Sequence, residues 1–333
     1  MTAPPGLASP SRASSGLASS GLASTQEPVV SVIVPAYNAA PYLAETLESA
    51  LHQSFRPFEI IVVDDGSTDT TRAVAEAYRN RGVVVLSQSN SGAASARNRA
   101  LSIARGRLIA LLDSDDLWQP DCLQTMVTFL DRNPEVSIAF CDSLFFGESK
   151  FAGRSYQEVY PPSPPITFAK VAGHVSHVCL DAILRREVFD RIGMFDAELR
   201  AVEDFDLWLR ALHAGCRIEP IARVLVHYRR HAESISSRAT LTGSAALQVL
   251  GKWRGRDGLG PEEQAAIEHS YRRTRFELDV SQAVEHIRRG EFPPARAALR
   301  RACAYQPKWR YRAARLALLA APRITRQALI GWR

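Results

Sequence analysis

Leu108-Ile109-Ala110-Leu111-Leu112-Asp113-Ser114-Asp115-Asp116 joins a short apolar run to three carboxylates. Five apolar residues in a row read as a central strand buried on both faces of a sheet. The acids then stand where the strand ends and its loop begins, the edge at which open α/β sheets bind ligands. Carboxylates crowded this closely repel one another unless a cation sits among them. A hard divalent ion, Mg²⁺ or Mn²⁺, is the natural partner for such oxygens. Taken alone, the stretch fits a second reading equally well, with Ser114, Asp115 or Asp116 capping the helix that follows.

Working outward, apolar runs alternate with helical spacing. Strands are expected at 29–34 (ended by Pro35), 59–63, 83–86 and 108–112, and helices at 42–53, 70–78 and 93–103. Continuously apolar strands alternating with helices imply a parallel sheet covered on both faces. After 136–140 the rhythm breaks, and 146–168, with Pro161-Pro162-Ser163-Pro164-Pro165, reads as a long loop or lid. Regular structure returns at 178–184, in helices from 186 and over 203–214, and in a last strand at 224–229. Beyond 239 the pattern is helical throughout.

The whole chain has 333 residues, 46% of them apolar and 23% charged, enough to build a sizeable core. Its five cysteines are scattered, with no C-x-x-C pair, which excludes a zinc cluster or disulfide framework and fits a reducing cytosol. No apolar run approaches the roughly 18 residues of a membrane span. Residues 1–27 are rich in Ala, Ser, Gly and Pro and repeat Gly-Leu-Ala-Ser three times. They read as a disordered tail without the basic start and apolar core of a signal peptide.

Four further clusters sit beside strand ends or helix starts. Pro35-Ala36-Tyr37-Asn38 offers a ring to stack on a base and an amide to bond it, or simply a turn. Asp64-Asp65-Gly66-Ser67 offers a carboxylate to a base or ribose, or turn and cap chemistry. Asn90-Ser91-Gly92 opens a helix whose N–H groups could face an anion. One turn in, Arg97 could meet a diphosphate, while close packing through alanines explains the small residues equally well. Glu203-Asp204-Phe205-Asp206-Leu207-Trp208 places two acids at a helix start, either to favour the dipole or to supply a general base. His231, past the last strand, is a candidate metal ligand or phosphate contact, although a lone His is more often structural. No G-x-G-x-x-G and no P-loop motif is present.

Taken in order, Val-Ser-Val-Ile-Val-Pro-Ala-Tyr-Asn, Val-Val-Asp-Asp-Gly-Ser-Thr-Asp, Asn-Ser-Gly…Ala-Arg-Asn, Leu-Asp-Ser-Asp-Asp and Glu-Asp-Phe-Asp-Leu-Trp-Leu-Arg resemble a family-2 glycosyltransferase over 29–237. The resemblance implies an α/β protein of the GT-A fold, with a mostly parallel sheet between helices in 28–238; the helical, basic extension in 239–333 lies outside it and is read from its own pattern. It implies an inverting transfer of one sugar from a nucleotide-diphosphate donor to a hydroxyl of a glycan or lipid-linked acceptor, in bacterial cell-surface polysaccharide synthesis. Carried onto this sequence, Pro35, Tyr37, Asn38, Asp65, Gly92, Arg97, Asp113 and Ser114 form the nucleotide-sugar site. Tyr37 would stack near the base, Asp65 would bond it, and Asp113 would lie at the ribose. Asp115 would ligate Mn²⁺ or Mg²⁺, and Asp204 would be the base with Glu203 beside it. The Gln-x-x-Arg-Trp motif of processive synthases is absent, which favours single-sugar transfer.

From Arg296 to Arg333 there are ten basic residues and no acid. Residues 309–333 interleave Arg with Leu, Ala, Ile and Trp, which suits either a helix on an anionic membrane surface or one packed on the catalytic domain. A cytoplasmic enzyme, or one peripheral on the inner face of the membrane, follows from the first. Nucleic acid is not an expected partner, since base-reading aromatics and a known module are missing. Two rival functions are a sugar-nucleotide nucleotidyltransferase, which would need a Gly-rich basic loop after the first strand, and a non-catalytic scaffold, which would tolerate loss of Asp115 or Asp204.

Overall fold

A computed structural model describes residues 27–235, 238–305 and 309–320. The expected tail over 1–26 and the basic stretch 321–333 lie outside the described residues. In chain order the first half is β1 (Val30–Ala36), α1 (Leu43–Leu51), β2 (Phe58–Asp64), α2 (Thr71–Glu76), β3 (Val83–Ser87), α3 (Ala93–Leu101), β4 (Leu108–Leu111), β5 (Leu117–Trp118) and α4 (Cys122–Arg132). There follow β6 (Ile138–Gly147), α5 (Tyr156–Val159), α6 (Phe168–Ala172), β7 (Ala182–Arg185), α7 (Glu187–Ile192), α8 (Glu203–His213) and β8 (Ile218–Arg230). Four helices close the chain: α9 (Ala239–Trp253), α10 (Pro261–Arg289), α11 (Phe292–Tyr305) and α12 (Trp309–Ala320).

All strands join one sheet in the order β3-β2-β1-β4-β7-β6-β8-β5. The first four are parallel, as their unbroken apolar runs foretell. The direction then reverses: β7 is antiparallel to β4 and to β6, while β8 runs parallel to β6. Side chains alternate across β1, so that Ile33 enters one apolar layer while Val30, Val32 and Val34 enter the other. The layer on one face is closed by α1, α2 and α4, and that on the other by α3, α6, α8 and the later helices. Gly106 leads into β4 where backbones nearly touch: a Cβ there would lie 2.5 Å from Ser31 N.

Two expectations need revision. β1 does not stop before Pro35; it continues through Ala36, with Pro35 buried opposite Val63. Nor is 146–168 an open loop. β6 runs on to Gly147, and α5 carries a capping box in which Ser155 Oγ accepts from Glu158 N and Glu158 Oε2 from Ser155 N. Thr167 then caps α6.

The helices after β8 are bound to the sheet's own core. Trp253 is 2% exposed and meets Phe168 and His213 with ring centroids 4.9 and 5.0 Å away. Val249, Leu250 and Ile267 belong to the same apolar layer, and Ser270 Oγ donates to Ala172 O at 2.6 Å. A separate small cluster joins α10, α11 and α12 through Ala283, Ile287, Ala295, Ala298, Leu299 and Ala314. Gly290, at φ +77, ends α10 in the left-handed conformation that Gly adopts most readily. Among the described residues no helix is long and apolar enough to cross a membrane. Because Trp253 fills the α6–α8 layer, Trp253→Ala should lower stability by about 3–5 kcal/mol, measurable by urea unfolding of the full chain.

Candidate active site

The site forms at the C-terminal edge of the parallel strands, where the loops after β1, β2 and β4 meet. Tyr37 stands 48% exposed at its mouth. Asn38 takes a left-handed φ of 49°, and its Oδ1 accepts from Thr68 N at 2.9 Å while its own N–H donates to Ser67 Oγ at 3.0 Å. Ala39 N donates to Thr71 Oγ1 at 2.7 Å. The first loop is thereby laced to the second.

Asp65 is buried and already occupied. Its Oδ1 accepts from Ser91 N (2.9 Å) and Gln88 Nε2 (2.8 Å), and its Oδ2 from Gly92 N (2.8 Å). The anion held by the Gly92 amide ahead of α3 is the protein's own carboxylate. Gly92 has φ +92, and a Cβ there would press on Arg200 at 3.3 Å.

Asp113, Asp115 and Asp116 follow β4 with ligand oxygens all within 4.8 Å of one another. Thr46 Oγ1 holds the carbonyl of Ser114 between them at 3.0 Å. The end of β8 closes the cluster from far along the chain. Arg229 N donates to Asp116 Oδ1 (2.7 Å), Arg229 Nε to Asp115 O (2.7 Å), and His231 Nε2 lies 3.0 Å from Asp115 Oδ2. Burial, reinforced by Asp181, Asp115 and Asp113, holds Asp116 well above the usual carboxylate range. Asp181 is pushed up to about 7 by burial, against its bond from the Ser143 hydroxyl and with Asp113 and Asp115 adding to the rise. A knot of hard oxygen donors crowding like charge, with an imidazole at its rim, fits a divalent cation.

Arg97 is put to a different use from the expected one. It is 2% exposed, and its guanidinium bridges Asp113 Oδ1 at 2.6 Å and Glu203 Oε1. It is thus buried and paired with two carboxylates of the protein. Glu203, committed to Arg97, begins α8, and Asp204 follows it. Burial first, and then the Glu203 charge, push Asp204 up to about 7, a value suited to a general base near neutrality. Val202, just before them, has φ +53. A β-branched residue rarely takes this conformation, and strain of this kind is retained chiefly at functional sites.

Tyr37, Asn38 and Asp65 thus share one wall, Asp113, Ser114, Asp115 and His231 a second, and Glu203 and Asp204 a third, with Arg97 joining the last two. Pro35 contributes only strand structure. Sequence reasoning passed over Asp116, Asp181, Thr46 and Arg229. Asp116 belongs to the opening trio of carboxylates, but the sequence assigns it no ligand role of its own beside Asp115. Asp181 and Thr46 carry no local signal at all.

The sequence model described as glycosyl transferase family 2 matches residues 31–193. The chain is 38% identical over 216 residues to TuaG of Bacillus subtilis, a glycosyltransferase named for teichuronic acid biosynthesis, covering 63% of this chain and 82% of that one. It is 32% identical over 212 residues to WfaP of Escherichia coli, a UDP-Glc:alpha-D-GlcNAc-diphosphoundecaprenol beta-1,3-glucosyltransferase, covering 63% and 80%. Among solved structures, Staphylococcus aureus TarS 1–349 in complex with UDP-GlcNAc superimposes with a TM-score of 0.64 at 22% identity, over 90% of this chain and 89% of that one. The mannosyltransferase PcManGT of Pyrobaculum calidifontis, in complex with GDP-Man and Mn²⁺, gives 0.59 at 22% identity over 92% and 88%. The fold is that of the GT-A glycosyltransferases, and the chain belongs to glycosyltransferase family 2.

Proposed function

We propose that the enzyme is a divalent-metal-dependent, inverting transferase that moves a single sugar from a nucleotide-diphosphate donor to a hydroxyl of a glycan or lipid-linked acceptor in bacterial cell-surface polysaccharide synthesis. The observation that carries this reading is the bridge from the Asp113 carboxylate through Arg97 to the helix start that bears Asp204. It ties a cation-suited acid cluster to a carboxylate poised as a base. The relatives' names, which concern teichuronic acid and an undecaprenol-linked acceptor, support the substrate class.

In this reading Tyr37 stacks on the base. Asp65 rigidifies the loop beneath it and keeps one free acceptor position of the roughly four a carboxylate has. Asp113, Asp115 and Asp116, with His231, would hold Mn²⁺ or Mg²⁺. When bound, the cation supplies charge neutralisation for the departing diphosphate. Asp204 takes the proton of the acceptor hydroxyl as its oxygen bonds to the anomeric carbon. The bond from that carbon to the diphosphate oxygen breaks on the opposite face, and the nucleotide diphosphate departs with the electron pair. Residues 28–238, with α9 and the start of α10 packed on them, make up the catalytic unit. The basic terminus from 309 onward is a candidate contact to the anionic inner face of the membrane, where a lipid-linked acceptor would sit.

Asp115→Ala should abolish Mn²⁺-dependent binding of UDP- and GDP-sugars in calorimetry. If the unmutated protein binds none of them in a metal-dependent way, the reading fails. Asp204→Asn should bind donor as before while kcat falls by about 10² to 10⁴. Because Asp204 must be deprotonated to act, kcat should rise with pH below about 7 and level off above it. A bound cation would draw that midpoint lower, and no such rise should remain in Asp204→Asn. Arg97→Gln leaves Glu203 buried without a cation and should cost about 3–5 kcal/mol in denaturant unfolding.

A further inference from the structure

Ring contacts run in an unbroken line from the base into the segment between β6 and α6. Phe205, the residue after Asp204, stacks on His174 with centroids 5.5 Å apart and planes at 17°. His174 meets His177 at 6.0 Å, and His177 meets Tyr160 at 5.1 Å. Each of these rings is half-buried, so each keeps an accessible portion. None of them belongs to the donor walls described above.

The strip is held in place from behind. Ser163 N donates to Ser176 Oγ at 3.0 Å, and Lys170 Nζ reaches the carbonyls of Ser163 and Pro165 at 3.0 and 3.1 Å. The amides of Val175 and Ser176 both return to Lys170 O, at 2.8 and 3.1 Å. The proline-rich run after Tyr160 is thereby stapled to the loop that bears both histidines. His174 sits at φ +55, outside the ordinary range for a residue with a Cβ. Burial, with His177 adding to it, lowers the His174 imidazole to about 4, so the ring is neutral at physiological pH. A neutral imidazole presents an uncharged face and both a donor and an acceptor nitrogen.

A pyranose has the complementary chemistry, with an apolar C–H face bordered by hydroxyls. Aromatic rings with a polar edge, as in Tyr and His, suit it on both counts. We propose that Phe205, His174, His177 and Tyr160 form the acceptor seat, on which a saccharide ring of the acceptor stacks with one hydroxyl turned toward Asp204. The inference rests on the transferase reading and narrows the acceptor to a molecule that ends in a sugar, whether free glycan or lipid-linked, rather than a bare lipid phosphate. The transfer step is unchanged, and the seat supplies orientation of the attacking hydroxyl.

The test uses the full-length protein with Mn²⁺ and UDP or GDP, whichever binds, titrated with methyl glycosides of glucose, N-acetylglucosamine, galactose and rhamnose. Saturation-transfer NMR reads which ring protons lie against the protein. At least one glycoside should be saturated through its C–H face. Tyr160→Ala and His177→Ala should weaken it about tenfold, Tyr160→Phe should retain it, and nucleotide binding should persist in all three variants. Tyr160→Leu, which keeps bulk without the ring, replaces an alanine variant that loses nucleotide binding through misfolding. Absence of saturation for every glycoside, or affinity unchanged in the ring-removing variants, overturns the seat while leaving the transferase reading intact. Failure of the unmutated protein to bind either nucleotide overturns both.

Discussion

The site depends on a guanidinium withdrawn from water. Arg97 sits on α3 and is paired at once with Asp113, which follows β4, and with Glu203, which opens α8. A buried charge costs several kcal/mol of desolvation, offset only where its partners are closely placed. Three elements that are distant in sequence are therefore held to one mutual arrangement. The value of the triad lies in uniqueness of geometry more than in stability. It sets the distance between the acids of the first half and the base of the second, and it leaves Asp204 as the neighbouring carboxylate without a cation of its own.

A similar economy shapes the nucleotide wall. Asp65 gathers the amides ahead of α3, so the loop over 88–92 is rigid before any ligand arrives. Gly66 is required beneath it, because a Cβ there would lie 2.6 Å from Asn90 N, and its φ of +71 suits glycine best. Asn38 and Thr71 bind the first two loops together. Tyr37 is left exposed in this otherwise laced frame. The acid cluster beside it has the opposite character: burial and like charge raise Asp116 and Asp113, with Arg97 acting against the rise at Asp113, and an added cation would relieve the cluster further.

Much of this was legible in one dimension. Strands buried on both faces show as unbroken apolar runs, so β1, β2, β3 and β4 could be read within a residue or two. Acids at strand ends and at the start of α8 were visible because secondary structure alone puts them at the same edge. The internal partners of Arg97 and Gly92 were not legible, because each pattern has the same appearance whether its counter-charge is a ligand or an internal carboxylate. The segment over 146–168 looked irregular because prolines and tyrosines mask short helices, although Ser155-Tyr156-Gln157-Glu158 carries a capping signal. The reversal of strand direction after β4 left no mark, since hydrophobic periodicity records burial and not polarity.

By itself the sequence determined the family, the parallel half of the sheet and the acids placed at its ligand-binding edge, because these follow from local runs of two or three residue types. Tertiary structure alone decided which charges neutralise one another. The Arg97 bridge spans 106 residues to Glu203, and His231 reaches Asp115 across 116. It likewise decided that α9 and α10 complete the apolar layer on one face of the sheet, and that the rings of Phe205, His174, His177 and Tyr160 share one strip. Such contacts join positions with no relation along the chain. They arise when burial of the apolar layers forces those positions together, and only the folded geometry records which of them meet.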